Sequence, residues 1–167
     1  MKGIWGGTVD PDASQPAPVS VENLLRELDG DRAESAQSDA RPQNLLADAL
    51  ASLELDEDFA FEESIVKHSL DELLLVLVGL HSDGTHGKQL MDDLSRLFDA
   101  RLSPGTVYPR LHDLEEDDTV TVHEMVRTKE YTVADAEGAA ERVRDAMNQH
   151  LAVGLFLQRA LEDGALS

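Results

Sequence analysis

Residues 103–111 read Ser103-Pro104-Gly105-Thr106-Val107-Tyr108-Pro109-Arg110-Leu111, and the fold turns on this stretch. Ser103 can accept a hydrogen bond from a first-turn N–H, and Pro104 has φ preset for the first helical position. Val107, Leu111 and Leu114 recur at spacings of four and three, which puts them on one buried helix face. The remaining surface carries Thr106, Tyr108, Arg110 and His112, all able to donate hydrogen bonds outward. Pro109 sits inside the pattern and is expected to bend the helix or delay its regular start.

The segments on either side complete a winged-helix unit. Leu70, Leu73, Leu74, Leu77 and Leu80 predict a helix from Leu70 to His81. Ser82-Asp83-Gly84-Thr85 reads as a turn. Leu90, Met91, Leu94, Leu97 and Phe98 give a second amphipathic helix from His86 to Phe98. After the Ser103 helix, Thr119 to Val126 alternates, with Val120 and Val122 on one side. A tight Arg127-Thr128 turn leads to Lys129–Val133, so the pair reads as a β-hairpin. The expected class is mainly α with a small β-hairpin: a winged helix-turn-helix followed by a long C-terminal helix.

Three runs carry a family resemblance: LHSDGTHGKQLMDDL (80–94), LSPGTVYPRLHDLEEDD (102–118) and KEYTV (129–133). Together they resemble the PadR-like transcriptional regulators, whose pattern joins a His-Gly turn, a SPGTLYPxLxxLEExG recognition helix and a wing ending in Tyr-x-Leu. The likeness covers about 70 residues, and its middle motif is the specific part. Asp118 stands where the family usually has Gly. Glu130 lies in the wing where bases are common. The last helix opens on Asp135-Ala136-Glu137-Gly138, one residue out of the family's register. The resemblance implies a homodimeric regulator of double-stranded DNA, with no cofactor.

The chain has 167 residues and no cysteine, so disulfides and thiolate metal sites are excluded. The longest apolar run, Leu73 to Leu80, is far short of a membrane span, and the start at Met1 lacks a signal-peptide core. The cytoplasm is the expected compartment. Net charge is −20, from 34 acids against 14 bases. It is spread along the chain: 15 acids to 5 bases over 1–69, 13 to 6 over 70–133, and 6 to 3 over 134–167. An even acidic surface of this kind suits concentrated salt, where the Debye length falls to ~3 Å and self-repulsion is screened. It therefore says little against DNA binding.

Residues 1–63 read as an extension, largely disordered, with short helical segments at Val19–Leu28 and Asn44–Leu55. The rest is too rich in small and polar residues to offset chain entropy. The two amphipathic pieces could fold on a protein partner. Residues 64–134 form the winged-helix domain. Residues 135–167 form one long helix capped by Asp135, with Val143, Met147, His150, Leu151, Leu155 and Leu161 along its apolar stripe. Such a stripe without an obvious intrachain partner points to the same helix of a second chain, with some back-packing onto the first helix.

Under the resemblance, the Ser103 helix enters the major groove. Arg110 would read a base, while Lys88, Arg101, Ser103, Thr106 and Tyr108 would position it against phosphates. Arg127 and Lys129, at the hairpin tip, would touch the backbone or the minor groove. The six histidines show no metal-ligand spacing, no Gly-rich phosphate loop is present, and no nucleophile motif frames any Ser. Neighbouring acids such as Asp92-Asp93 read as solvated surface. No enzyme activity is expected. The rival reading is a winged-helix protein-interaction module that does not bind DNA.

Overall fold

The structure is a computed structural model, and it describes residues 40–166. The expected helix at Val19–Leu28 lies outside the described residues. Helix α1 covers residues 40–51. It starts earlier than the Leu spacing suggests, with Pro42 in its first turn, where a missing N–H costs nothing. It ends before Leu53 and Leu55, which are exposed. The remaining elements are α2 (Glu63–His68), α3 (Leu70–Leu80), β1 (Thr85–His86), α4 (Gly87–Phe98), α5 (Pro104–Glu116), β2 (Val120–Glu124), β3 (Lys129–Val133) and α6 (Ala136–Glu162).

Helix α3 is the centre of the packing. Leu70, Leu74, Leu75, Leu77 and Val78 are all buried, so it is covered on more than one side. Leu90 and Leu94 of α4 close one side, and Val107, Leu111 and Leu114 of α5 another. Val120 and Tyr131 bring in the sheet, and Val66 and Phe61 extend the core to α2. The sheet has three strands in the order β1-β3-β2, all antiparallel. Strand β1 is an addition to the expected hairpin: Thr85 faces Tyr131 and His86 faces Glu130. Two residues are too few to show alternation in sequence.

Pro109 neither delays nor interrupts α5, which runs from Pro104 to Glu116 as one helix. Ser103 does not cap it by side chain. Its carbonyl accepts from Thr106 N at 2.9 Å and Val107 N at 3.2 Å, while its hydroxyl lies 3.1 Å from Thr106 Oγ1. At the far end, Thr119 N donates to Leu114 O and Asp118 N to Glu115 O, both at 3.0 Å, and Asp118 has φ +55°. This is a Schellman ending with a left-handed residue just past the cap. It explains why the family places Gly there. Asp is among the few L residues that tolerate the conformation.

Asp135 caps α6 as expected, accepting from Gly138 N at 3.0 Å through Oδ1. The first half of α6 docks on α3, so part of the stripe has an intrachain partner. Ala139 is buried and Val143 packs on the core. Arg142 reaches Asp71 Oδ2 (2.8 Å), Glu72 Oε1 (3.2 Å) and Asp117 Oδ2 (3.6 Å). His150 Nε2 lies 3.0 Å from Ser69 Oγ. Met147, Leu151, Leu155 and Leu161 are exposed. No described helix is long and apolar enough to cross a membrane.

Candidate nucleic-acid interface

Burying Val107, Leu111 and Leu114 fixes what α5 shows to solvent. Pro104, Gly105, Pro109, His112, Asp113 and Glu116 are exposed on its outer surface. Tyr108 and Arg110 are two residues apart, hence about 200° apart around the axis, and stand on opposite flanks. Tyr108 lies across Gly87: a Cβ at residue 87 would come within 2.6 Å of its ring, so only glycine permits this approach. Arg110 leans toward α3, its Nη1 3.5 Å from Asp71 Oδ2, with the side chain half exposed.

On the Tyr108 flank, the start of α4 and the wing enclose an open cleft of about 510 Å³. Its walls include His86, Gly87, Lys88, Tyr108, Arg127 and Lys129. The structure thus brings together Lys88, Tyr108, Arg127 and Lys129, residues far apart in sequence. The device that does so is β1. Its pairing with β3 puts the α4 start beside the wing, and His86 Nδ1 donates to Lys129 O at 3.1 Å. Arg101, Ser103, Thr106 and Arg110 lie outside the cleft.

Charge is unevenly placed around this site. Residues 103–111 of α5 carry no acid, whereas Asp113, Glu115, Glu116, Asp117 and Asp118 crowd its C-terminal end. His112 lies 3.6 Å from both Glu115 and Glu116. Lys129 Nζ is 3.6 Å from Glu124 Oε1, an exposed pair of small worth. Among the described residues Lys88, Arg101 and Arg127 make no ion pair. No described group of three or more His, Asp or Glu is arranged to hold a metal. Tyr131, on β3, is a core residue: burial pushes its phenol up, with Tyr108 and Glu115 adding to the shift.

One cluster reverses the surface reading for Asp93, while Asp92 is exposed as expected. Asp93 is fully buried at the α3–α4 junction. Its Oδ2 accepts from His81 Nε2 at 2.9 Å, and its Oδ1 accepts from Gln89 Nε2 at 3.2 Å and from Arg96 Nη2. Burial alone would raise its pKa. The hydrogen bond and charge of His81, with those of Arg96, outweigh this and hold the carboxyl below its ordinary value. The available signal was helical spacing: Asp93 is three residues past Leu90 and adjoins Leu94, on the edge of the buried stripe.

Residues 74–142 match the transcriptional regulator PadR-like family. The chain is 36% identical over 170 residues to the transcriptional activator GvpE1 of Halobacterium salinarum, covering 93% of this chain and 88% of that one. It is 36% identical over 139 residues to the transcriptional activator GvpE of Haloferax mediterranei, covering 78% and 72%. Both come from halophiles, in keeping with the acidic surface. Among solved structures, a PadR-like transcription factor from Bacteroides fragilis aligns with TM-score 0.46 at 15% identity, over 57% of this chain and 93% of that one. The motif at 102–118, the three-helix unit with its wing, and relatives matched over most of their length agree: the chain belongs to the PadR-like family of transcriptional regulators.

Proposed function

We propose that this chain binds double-stranded DNA as a homodimer in the cytoplasm and, like the relatives named as activators, raises transcription from the sites it binds. The observation that carries the reading is the convergence of Lys88, Tyr108, Arg127 and Lys129 on one cleft beside the acid-free half of α5. In this arrangement α5 enters the major groove and the wing follows the backbone or the minor groove. Lys88, Arg101, Ser103, Thr106, Tyr108, Arg127 and Lys129 hold phosphates and sugars. Arg110 reads a base, exchanging its long, half-exposed contact with Asp71 for the groove at little cost. The exposed half of α6, with Met147, Leu151, Leu155 and Leu161, pairs the two chains, and Val143 and His150 brace the same helix on its own domain. Residues 64–134 form the DNA-binding unit, 135–167 the dimerisation helix, and 1–63 an extension open to a protein partner. The mechanism contains no catalytic step.

The rival reading, an interaction module that leaves DNA alone, draws on Glu124 beside Lys129 and Asp71 beside Arg110. Selection by the full-length chain from a pool of randomised duplexes in molar KCl separates the two. The expected result is an enriched, two-fold symmetric sequence. On that duplex, Arg110→Ala should cost about 1–3 kcal/mol and relax one position, while Lys129→Ala should weaken all sequences alike. A folded chain that enriches nothing leaves the interaction module standing.

A further inference from the structure

The wing tip is a poor turn by sequence. Met125 N donates to Thr128 O at 2.8 Å, so the two apex residues are Val126 and Arg127, one residue earlier than the expected Arg127-Thr128 turn. Two-residue hairpin turns favour Asn-Gly or Asp-Gly with positive φ. Here neither residue has positive φ; among the described non-glycine residues only Asp99 and Asp118 do. Val126 gains no burial in exchange, being 101% exposed, and Met125 beside it is 56% exposed. Single exposed apolar side chains are ordinary. Two in succession entering the turn of a hairpin, with Arg127 and Lys129 next to them in a chain with only 14 bases, are a chemical pattern.

That pattern has a fitting occupant. The minor groove, ~6 Å wide, excludes a helix but admits a hairpin apex. Its negative potential attracts Arg, and apolar side chains entering it part the base steps and bend the duplex. Lys129 lies 3.6 Å from Glu124, but Arg127 at the apex makes no ion pair among the described residues and complements a phosphate-lined groove, while the Met125 and Val126 side chains offer no hydrogen bonds that would fix a polar protein partner. We infer that Met125 and Val126 form a wedge that enters the minor groove and reads the deformability of the step beneath it, while Arg127 and Lys129 hold the flanking phosphates. This rests on the DNA-binding reading above and adds to it a position recognised without hydrogen bonds.

The test repeats the selection from randomised duplexes with the full-length chain, its Val126→Ser and Met125→Ser variants, and Val126→Leu as the conservative replacement. The wild-type and Val126→Leu proteins should enrich pyrimidine–purine steps at a fixed distance from the positions read by α5. The serine variants should keep the α5 positions, lose the step, bind the enriched duplex about tenfold more weakly and bend it less by end-to-end energy transfer. Val126 is fully exposed and Met125 more than half exposed, so circular dichroism should be unchanged. Identical enrichment and bending by wild type and serine variants would overturn the wedge while leaving DNA binding intact. An absence of any enrichment would overturn both.

Discussion

Replacing Asp93 by Asn tests what holds the helix-turn-helix angle. The carboxylate joins His81, at the end of α3, to Gln89 and Arg96 of α4, with no exposed surface of its own. Breaking a buried pair by removing one partner costs about 3–5 kcal/mol. Two features reduce this. Arg96 is 39% exposed and can turn to water, and the amide oxygen of Asn keeps one acceptor for His81, whose side chain is 8% exposed. What is lost is one charge-assisted hydrogen bond and the match between Oδ1 and its donors, or about 2–3 kcal/mol. For a unit of this size that lowers Tm by roughly 8–12 °C. Thermal unfolding in molar KCl, followed by circular dichroism, measures it. The pH dependence has a fixed sign. Because the folded carboxyl titrates below its ordinary 3.8, its stabilisation is present above the unfolded value and is lost as pH falls through the folded one. The gap between wild type and Asp93→Asn should therefore be full at pH 7 and shrink below about pH 4. A variant that melts within about 2 °C of wild type at pH 7, or whose deficit persists unchanged in acid, would refute the network's role.

Two further changes probe the end of α5 and the exposed face of α6. Asp118→Gly removes the left-handed strain after α5 and should stabilise by about 0.5–1 kcal/mol, net of the extra chain entropy of glycine, as read by the same melts. The matching position after α6 is already Gly164, with φ +77° and the same pair of closing hydrogen bonds. Leu151→Asp with Leu155→Asp should leave the folded signal intact, because both side chains are exposed in the single chain, yet convert a dimer to a monomer by light scattering. A double variant that stays dimeric would move the interface elsewhere.

The helices of the core were legible because their apolar spacing is strict: α3 and α4 lie within a residue of their expected bounds, and α6 starts just after its cap at Asp135, although it ends at Glu162, before the left-handed Gly164, and not at the expected residue 167. What escaped the sequence has a common cause, which is contact between residues far apart. Strand β1 has no period of its own and exists only through β3. Asp93 looks like its neighbour Asp92 until His81 and Arg96 are folded around it. Arg142 clamps α6 to Asp71, Glu72 and Asp117, partners that no spacing in the sequence connects. The site shows the same division. That α5 carries donors was readable from residue types. That Tyr108 turns toward the wing while Arg110 turns toward α3 follows from which face of α5 is buried, and the meeting of Lys88 with Arg127 follows from β1.

The charge pattern then constrains how such a regulator can work. With a net charge of −20 per chain, long-range attraction cannot bring it to DNA as it brings a basic repressor. At molar salt the Debye length is ~3 Å, so the acids at the C-terminal end of α5 are screened from a phosphate at the N-terminal end, while a charge-assisted hydrogen bond at contact distance survives. Selection under these conditions falls on contact geometry rather than on field. The chain suits that demand by keeping acids out of residues 103–111, by gathering Lys88, Tyr108, Arg127 and Lys129, proposed above as DNA contacts, into one cleft, and by fixing α3 to α4 through a buried carboxylate instead of a surface pair. Where counterion release contributes little, a complex must gain its affinity from shape, hydrogen bonds and apolar contact. An uncharged, fully exposed Val126 at the point of the wing is the kind of residue that such a complex can use and a field-driven one has no need of.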